Sequence, residues 1–281
     1  MKFEHPHFGL ELDTESEESK EAFKNLQKIY SGIPATICHF CPKKKQVEAD
    51  CCRHYSPPMY LIEFLQALSI IEDKNDKEKD QILVDCVHNY INADVIHQCP
   101  LLKEDNACSV YEARPFSCRM YGQYPSQEWK RRLKTVSEQL GISADKIPMK
   151  DQCGDPNVTL KGKKVKYLTL IEENKLFRQI PKLDIEVFKS SLGIDDETAQ
   201  DMVYESMDSP PLTYLPFDAH YILVRLGPEN LETFTQVRSL LIEKNRKKDL
   251  SDTDSLDFIK IKSNVQDFIK NIENQILHKI S

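Results

Sequence analysis

Glycine is scarce in this chain. The 281 residues hold eight, at Gly9, Gly32, Gly122, Gly141, Gly154, Gly162, Gly193 and Gly227, and no two stand closer than eight positions. A dinucleotide-binding turn needs closely spaced glycines so that backbone N–H groups can approach a pyrophosphate, and a P-loop needs glycines framing its phosphate cradle. Neither can be assembled here. A Gly-x-Ser-x-Gly elbow and a His-Glu-x-x-His motif are also missing, which removes the commonest acyl-transfer and metalloprotease signatures. No apolar run approaches the roughly 20 residues that cross a bilayer. The stretch 1–21 is acidic and lacks the apolar segment of a secretory signal. Basic residues are in deficit, 38 Lys+Arg against 45 Asp+Glu for a net charge of −7, which argues against a dedicated nucleic-acid binder. A cytoplasmic, reduced setting with no membrane and no nucleic-acid partner is the expectation.

What is present is an ordinary soluble composition, 40% apolar and 30% charged. A chain of this length buries about three quarters of its unfolded surface, so its core does not depend on disulfide staples. Periodicity predicts a mainly α protein with irregular cysteine-bearing loops. The spacing gives a helix over Glu17 to Tyr30 stopped by Gly32, and one opened by Pro57-Pro58 and running to Ile71. A polar linker, Glu72 to Asp80, precedes a helix from Gln81 to His97. Ser126 caps a helix reaching Leu140, and Val158 to Val165 reads as a small hairpin. Further helices are expected over Leu168 to Arg178, Leu183 to Leu192, Asp196 to Met207, Glu229 to Lys244 and Leu256 to His278. In the last, Phe258, Ile261, Val265, Phe268, Ile272 and Ile276 form one apolar stripe that buries against the body or a partner helix. The organisation expected is an N-terminal helical extension over 1–33, a cysteine-rich metal-binding domain over 34–156 and a helical C-terminal region over 157–281.

The cysteines carry the functional information. All nine lie between Cys38 and Cys153, and residues 154–281 hold none. Cys86 falls with Leu83, Val87 and Tyr90 on the apolar face of a predicted helix, where a thiol behaves as a small hydrophobe. The other eight, Cys38, Cys41, Cys51, Cys52, Cys99, Cys108, Cys118 and Cys153, fall in loops. A disulfide framework suits small secreted domains rather than a chain of this size. A redox enzyme built on the Cys-x-x-Cys pair Cys38/Cys41 would want two cysteines in a βαβ setting, not eight among helices. Coordination of zinc or an iron–sulfur cluster accounts best for the number, because two residues between ligands let two thiolates converge on one centre. In extended backbone the vicinal pair Cys51-Cys52 points to opposite faces. These thiols therefore reach two centres, or one ligates while the other packs. His39 and His54 are secondary ligand candidates, and the His5/His7 pair near the terminus is not counted as a site. Arg114 and Arg119 flank Cys118; either they offset thiolate charge or they pair with acids such as Glu112. The lysine- and arginine-bearing runs Lys130 to Lys134 and Lys161 to Lys166 read as solvated faces.

The order Cys38-x2-Cys41, Cys51-Cys52, Cys99-Pro-Leu-Leu, Cys108 through Ala113-Arg114-Pro115-Phe116-Ser117 to Cys118-Arg119, and Cys153-Gly154 resembles the YkgJ-like cysteine cluster family, the "CxxCxxCC" proteins described as zinc- or iron-chelating. The likeness spans about Ala35 to Pro156. It implies a bound metal and eight ligand-type cysteines, and leaves Cys86 aside. The sequence departs from the family in a longer spacer before the double cysteine, Pro42 to Asp50, which bears three lysines.

The leading expectation is thus a metal-binding protein holding zinc or an iron–sulfur cluster through those eight cysteines, in a structural or electron-transfer role, with C-terminal helices that contact a protein partner. Two alternatives stand beside it. Flagellin lysine methylases carry a similar cysteine cluster, which implies a protein-modifying enzyme, although no glycine-rich S-adenosylmethionine site is visible and no catalytic residue can be assigned. A zinc-stabilised interaction module, with the metal acting only as a staple, is the other.

Overall fold

In the computed structural model the described residues are 2–5, 10–33, 56–91, 98–105, 107–120, 168–204 and 213–248, with shorter pieces at 130–131, 133–135, 137–138, 159–160, 163–164, 270 and 274. Among them the fold is mostly helical with little strand, as expected.

The chain opens with an antiparallel pair, β1 (Lys2–His5) and β2 (Leu10–Asp13), where the sequence reading places only an acidic terminus before a helix. Helix α1 (Glu17–Ser31) follows. Ser16 caps it by accepting the Ser19 N–H at 3.1 Å, and Glu17 and Glu18 favour the positive end of the helix. Ala22, Leu26, Ile29 and Tyr30 form its buried stripe.

Pro57 and Pro58 do not open the next helix. Instead β3 (Pro58–Met59) pairs with β6 (Leu215–Pro216), Pro58 opposite Pro216. A two-stranded ribbon has only edges, which is where a residue without an N–H is tolerated. Helix α2 (Leu61–Glu72) starts only after it. Eight of its twelve residues are buried, on every side. It is walled by α1, by α6 (Ile180–Leu192) and by α8 (Phe217–Leu226).

Helix α3 (Asp76–Ile91) begins five residues earlier than the periodicity suggests, because Asn75 caps it by accepting the Glu78 N–H at 3.0 Å. Its predicted extension through residues 92–97 lies outside the described residues. Helix α4 (Phe116–Met120) is a single turn. The 130–138 positions that are described are helical, while Ser126 and Leu140 lie outside them. The expected hairpin is present as β4 (Thr159–Leu160) paired with β5 (Lys163–Lys164).

Helix α5 (Leu170–Phe177) is opened by a Thr169/Glu172 capping box. Helix α6 has Pro181 in its first turn and ends at Gly193, whose φ of +64° suits glycine. Helix α7 (Asp196–Val203) is capped by Asp195. Helix α8 is absent from the sequence reading. Gly227, at φ +87°, turns it into α9 (Pro228–Lys248). Of the expected Leu256–His278 helix only Lys270 and Asn274 are described, both helical.

One apolar core joins both ends of the sequence. It takes Leu26 from α1, Phe64 from α2, Val87 from α3, Phe188 from α6, Tyr221 from α8 and Phe234 from α9. Burying an aromatic or leucine side chain contributes roughly 1.5–3 kcal/mol, so this shared core, fed by several helices, carries the fold. The hairpin β1–β2 rests against α8 and α6.

Candidate metal centre

The segment 98–120 carries three of the expected ligands and contributes Cys99, Leu101, Val110 and Phe116 to this core. Its first part doubles back on itself. Leu102 N–H donates to Cys99 O at 3.0 Å, Lys103 N–H to Ala107 O at 2.9 Å and Ser109 N–H to Leu101 O at 2.8 Å. Asp105 accepts the Ala107 N–H at 2.9 Å and so fixes the tip. The result sets Cys108 opposite Leu102 in a β-bridge, three residues along from Cys99. Cys99 is buried and Cys108 half-buried.

The chain then passes through Val110, 1% exposed, and a 3-10 turn at Tyr111–Ala113. Pro115 follows, pre-set for a first helical turn, and α4 presents a half-buried Cys118. Cys118 therefore stands on a helical turn rather than in a loop, which corrects the sequence reading. Its neighbours are all tied down. Phe116 N–H donates to Glu63 Oε1 at 2.6 Å and Ser117 Oγ–H to Pro58 O at 2.9 Å. Arg119 donates through Nε to Arg114 O at 2.7 Å and through Nη2 to Glu112 O at 2.6 Å. Arg119 thus meets Glu112 through its backbone carbonyl, not through the carboxylate that ordinary ion pairing would use.

The guanidinium of Arg119 also lies 4.2 Å from the centroid of the Tyr30 ring. Burial pushes its pKa down, while Tyr30, Glu63 and Cys118 favour its charged form and Arg114 opposes it. A cation beside Cys118 is what a thiolate centre of net negative charge calls for. Arg114 is placed differently: its Nε–H donates to Tyr111 O at 3.0 Å and its guanidinium covers the Tyr111 ring at 3.7 Å.

Behind Cys118 lies a residue that the sequence reading passes over. Glu63 is 1% exposed. Its Oε1 accepts Tyr30 O–H at 2.5 Å and Phe116 N–H at 2.6 Å, and its Oε2 accepts Tyr60 N–H at 2.9 Å. Burial pushes the Glu63 pKa up, and those donors work against it. The same environment drives the Tyr30 phenol well above its ordinary value, first by burial and then by the Glu63 charge. The available signal is a lone carboxylate in the otherwise apolar run Leu61-Ile62-Glu63-Phe64-Leu65, since a charge on an all-buried helix needs donors.

Cys86 is fully buried on α3 beside Leu83 and Val87, as the helical spacing indicates. Burial pushes its thiol pKa well up, with Asp218 and Cys99 adding to it. A thiol so enclosed by apolar side chains packs as a small hydrophobe does.

Cys86, Cys99, Cys108 and Cys118 are thiols and not halves of a disulfide. Among the described residues no three His, Cys, Asp or Glu side chains come together as a metal-holding group. Cys38, Cys41, Cys51, Cys52 and Cys153, with His39, His54 and His7, lie outside the described residues, while His5 sits in β1. The donor set that is described fits zinc or iron–sulfur in kind, as soft thiols with a cation alongside. It can furnish only part of a coordination shell. Of the basic runs, Lys134 pairs with Glu138 at 3.8 Å on an exposed helical face, while Arg132, Lys161 and Lys166 lie outside the described residues.

Residues 24–140 match the family model CxxCxxCC, described as "Putative zinc- or iron-chelating domain". The resemblance carried by the cysteines is therefore shown over that stretch, which includes every expected ligand except Cys153, and it supports metal binding. No curated protein and no solved structure matches the chain. Among the described residues no helix is long and apolar enough to cross a membrane.

Proposed function

We propose that this protein holds zinc or an iron–sulfur cluster through Cys38, Cys41, Cys51, Cys52, Cys99, Cys108, Cys118 and Cys153, and that the centre has a structural or electron-carrying role. The observation that carries this reading is the contrast among the described thiols. Cys86 stands alone on the buried face of α3, whereas Cys99, Cys108 and Cys118 share the segment 98–120, the first of them buried, the other two half-buried and the last beside an arginine. When bound, zinc would staple the segment, and a cluster would carry an electron. A zinc ion closed by four thiolates activates no water, so a zinc outcome also argues against hydrolysis. In the same reading the C-terminal helices meet a protein partner.

Anaerobic purification followed by elemental analysis and an absorption spectrum tests the proposal. Stoichiometric zinc in a colourless protein, or iron and sulfide in a brown one, is the expected result. Protein purified without either metal would end it.

A further inference from the structure

The anchoring of α4 goes beyond what a one-turn helix needs for its own stability. Five residues give such a turn little intrinsic tendency to form, since helix nucleation is unfavourable and short helices are marginal alone. Here the residue two before Cys118, the residue before it and the residue after it each bond to a different place: a buried carboxylate on α2, a carbonyl of β3, and two carbonyls of the preceding turn. The carboxylate is the far-reaching member. Through Tyr30 O–H it ties in α1, whose ring lies under Arg119. Glu63 and Arg119 thus meet the same tyrosine, one at its hydroxyl and one at its ring, and bracket Cys118 along the chain.

Resting on the metal-binding reading above, we propose that Glu63 and Arg119 are positioning residues for a metal-ligating Cys118. Glu63 fixes where α4 starts, Arg119 fixes where its last turn lies, and together they hold the thiol in place before metal arrives. Groups that orient a metal ligand from behind typically change affinity by about 10–100-fold when removed. Glu63→Gln keeps the shape but not the acceptor count. Whichever way the amide sits, its NH2 confronts a donor, either Tyr60 N–H or the Tyr30 and Phe116 pair. Arg119→Lys keeps the charge but loses the two-carbonyl fork.

The test uses the full chain. Zinc affinity is measured by competition with a chromophoric chelator, the cobalt-substituted protein supplies the thiolate charge-transfer spectrum, and amide hydrogen exchange is followed at residues 116–120 and 61–71. Both variants are expected to bind zinc at least about tenfold more weakly, to shift the cobalt spectrum and to exchange faster at 116–120, with 61–71 unchanged in Arg119→Lys. Should Glu63→Gln lose its helical circular dichroism, Arg119→Lys decides alone, because that side chain is only half-buried. Wild-type affinity and spectrum in Arg119→Lys overturn this inference and leave the metal-binding reading standing. A wild-type protein that takes up neither zinc nor iron and sulfide overturns both.

Discussion

The head of α2 and the body of α8 both bury charged or titratable groups, but they satisfy them differently. At the head of α2, Glu63 collects donors from α1, from the entry to α2 and from α4, and Asp184 of α6 accepts the Ile62 and Leu61 N–H groups at 2.7 and 3.3 Å. Asp184 thereby supplies acceptors to the buried first-turn amides of a helix N-terminus, which have no partner within the helix, from a residue far along the chain. On α8, Asp218 Oδ1 accepts the N–H of its own neighbour Ala219 at 2.9 Å, and the Asp218 N–H reaches only Ser56 Oγ at 3.4 Å. His220 stacks on Phe64 with ring centroids 4.9 Å apart and donates through Nε2 to Met59 O at 3.2 Å, the proton being assigned there because a carbonyl can only accept. The Glu63 and Asp184 carboxylates collect donors from other elements, whereas on α8 the Asp218 carboxylate takes a donor from its own helix and His220 leans on Phe64 of α2 and Met59 of β3. A buried charge specifies tertiary arrangement when its donors come from several elements, and that is the side of α2 on which the Cys118 turn is hung.

The largest effect should come from emptying the junction. Glu63→Ala leaves the Tyr30 hydroxyl and the Phe116 and Tyr60 amides facing a dry space, and unsatisfied buried donors cost about 1–3 kcal/mol each. We expect a loss on the order of 3 kcal/mol or more in chemical denaturation; a loss below about 1 kcal/mol would show that the junction is decorative.

Next comes the pH response of the other carboxylate. Burial, reinforced by the Glu63 charge, pushes Asp184 up from 3.8 to about 7 against the pull of Thr213 and its amide donors. The folded chain therefore binds this proton more tightly than the unfolded chain. The stability it contributes is present below about pH 4 and is lost as pH climbs through 7. His220 acts in the opposite sense, since burial lowers it from 6.5 to about 4 and its contribution is lost as pH falls through that window. Thermal melts from pH 4 to 7.5 should show wild type losing more stability than Asp184→Asn over the same range, by on the order of 1 kcal/mol. Parallel curves would contradict the assignment.

The smallest effect sharpens the line between ligand and packing thiol. Cys86→Ala should cost about 1 kcal/mol, as a buried side chain trimmed by one atom, and leave zinc or iron content at the wild-type level by elemental analysis. A fall in metal content would move Cys86 among the ligands.

Much of the architecture was legible because it rests on period and caps. The buried face of α1, its stop at Gly32 and the small hairpin of β4 and β5 follow from patterns visible in the sequence. Helix α8 was not legible, since in Phe217–Leu226 seven of ten residues are buried and Asp218 and His220 are among them, so polarity does not mark its outer face. The proline pair was misread because Pro57-Pro58 satisfies the rule for a helix start as well as the rule for an edge strand, and only the partner at Leu215–Pro216 decides between them. At the candidate site, Cys99, Cys108 and Cys118 stand out in the sequence as ligand candidates. Their support was not, because Glu63 and Tyr30 enter through contacts 53 and 33 residues apart in sequence.

The β3–β6 pairing and the Asp184 cap mean that α2, encoded early in the chain, is completed by pieces encoded late. Severing the polypeptide between α4 and α5 would thus yield two halves that are obligate companions, each displaying the greasy imprint of the other. Recombined in one tube they have a ready template for reassembly, whereas the thiol-bearing half handled by itself would clump, and its behaviour would say more about a torn interior than about metal.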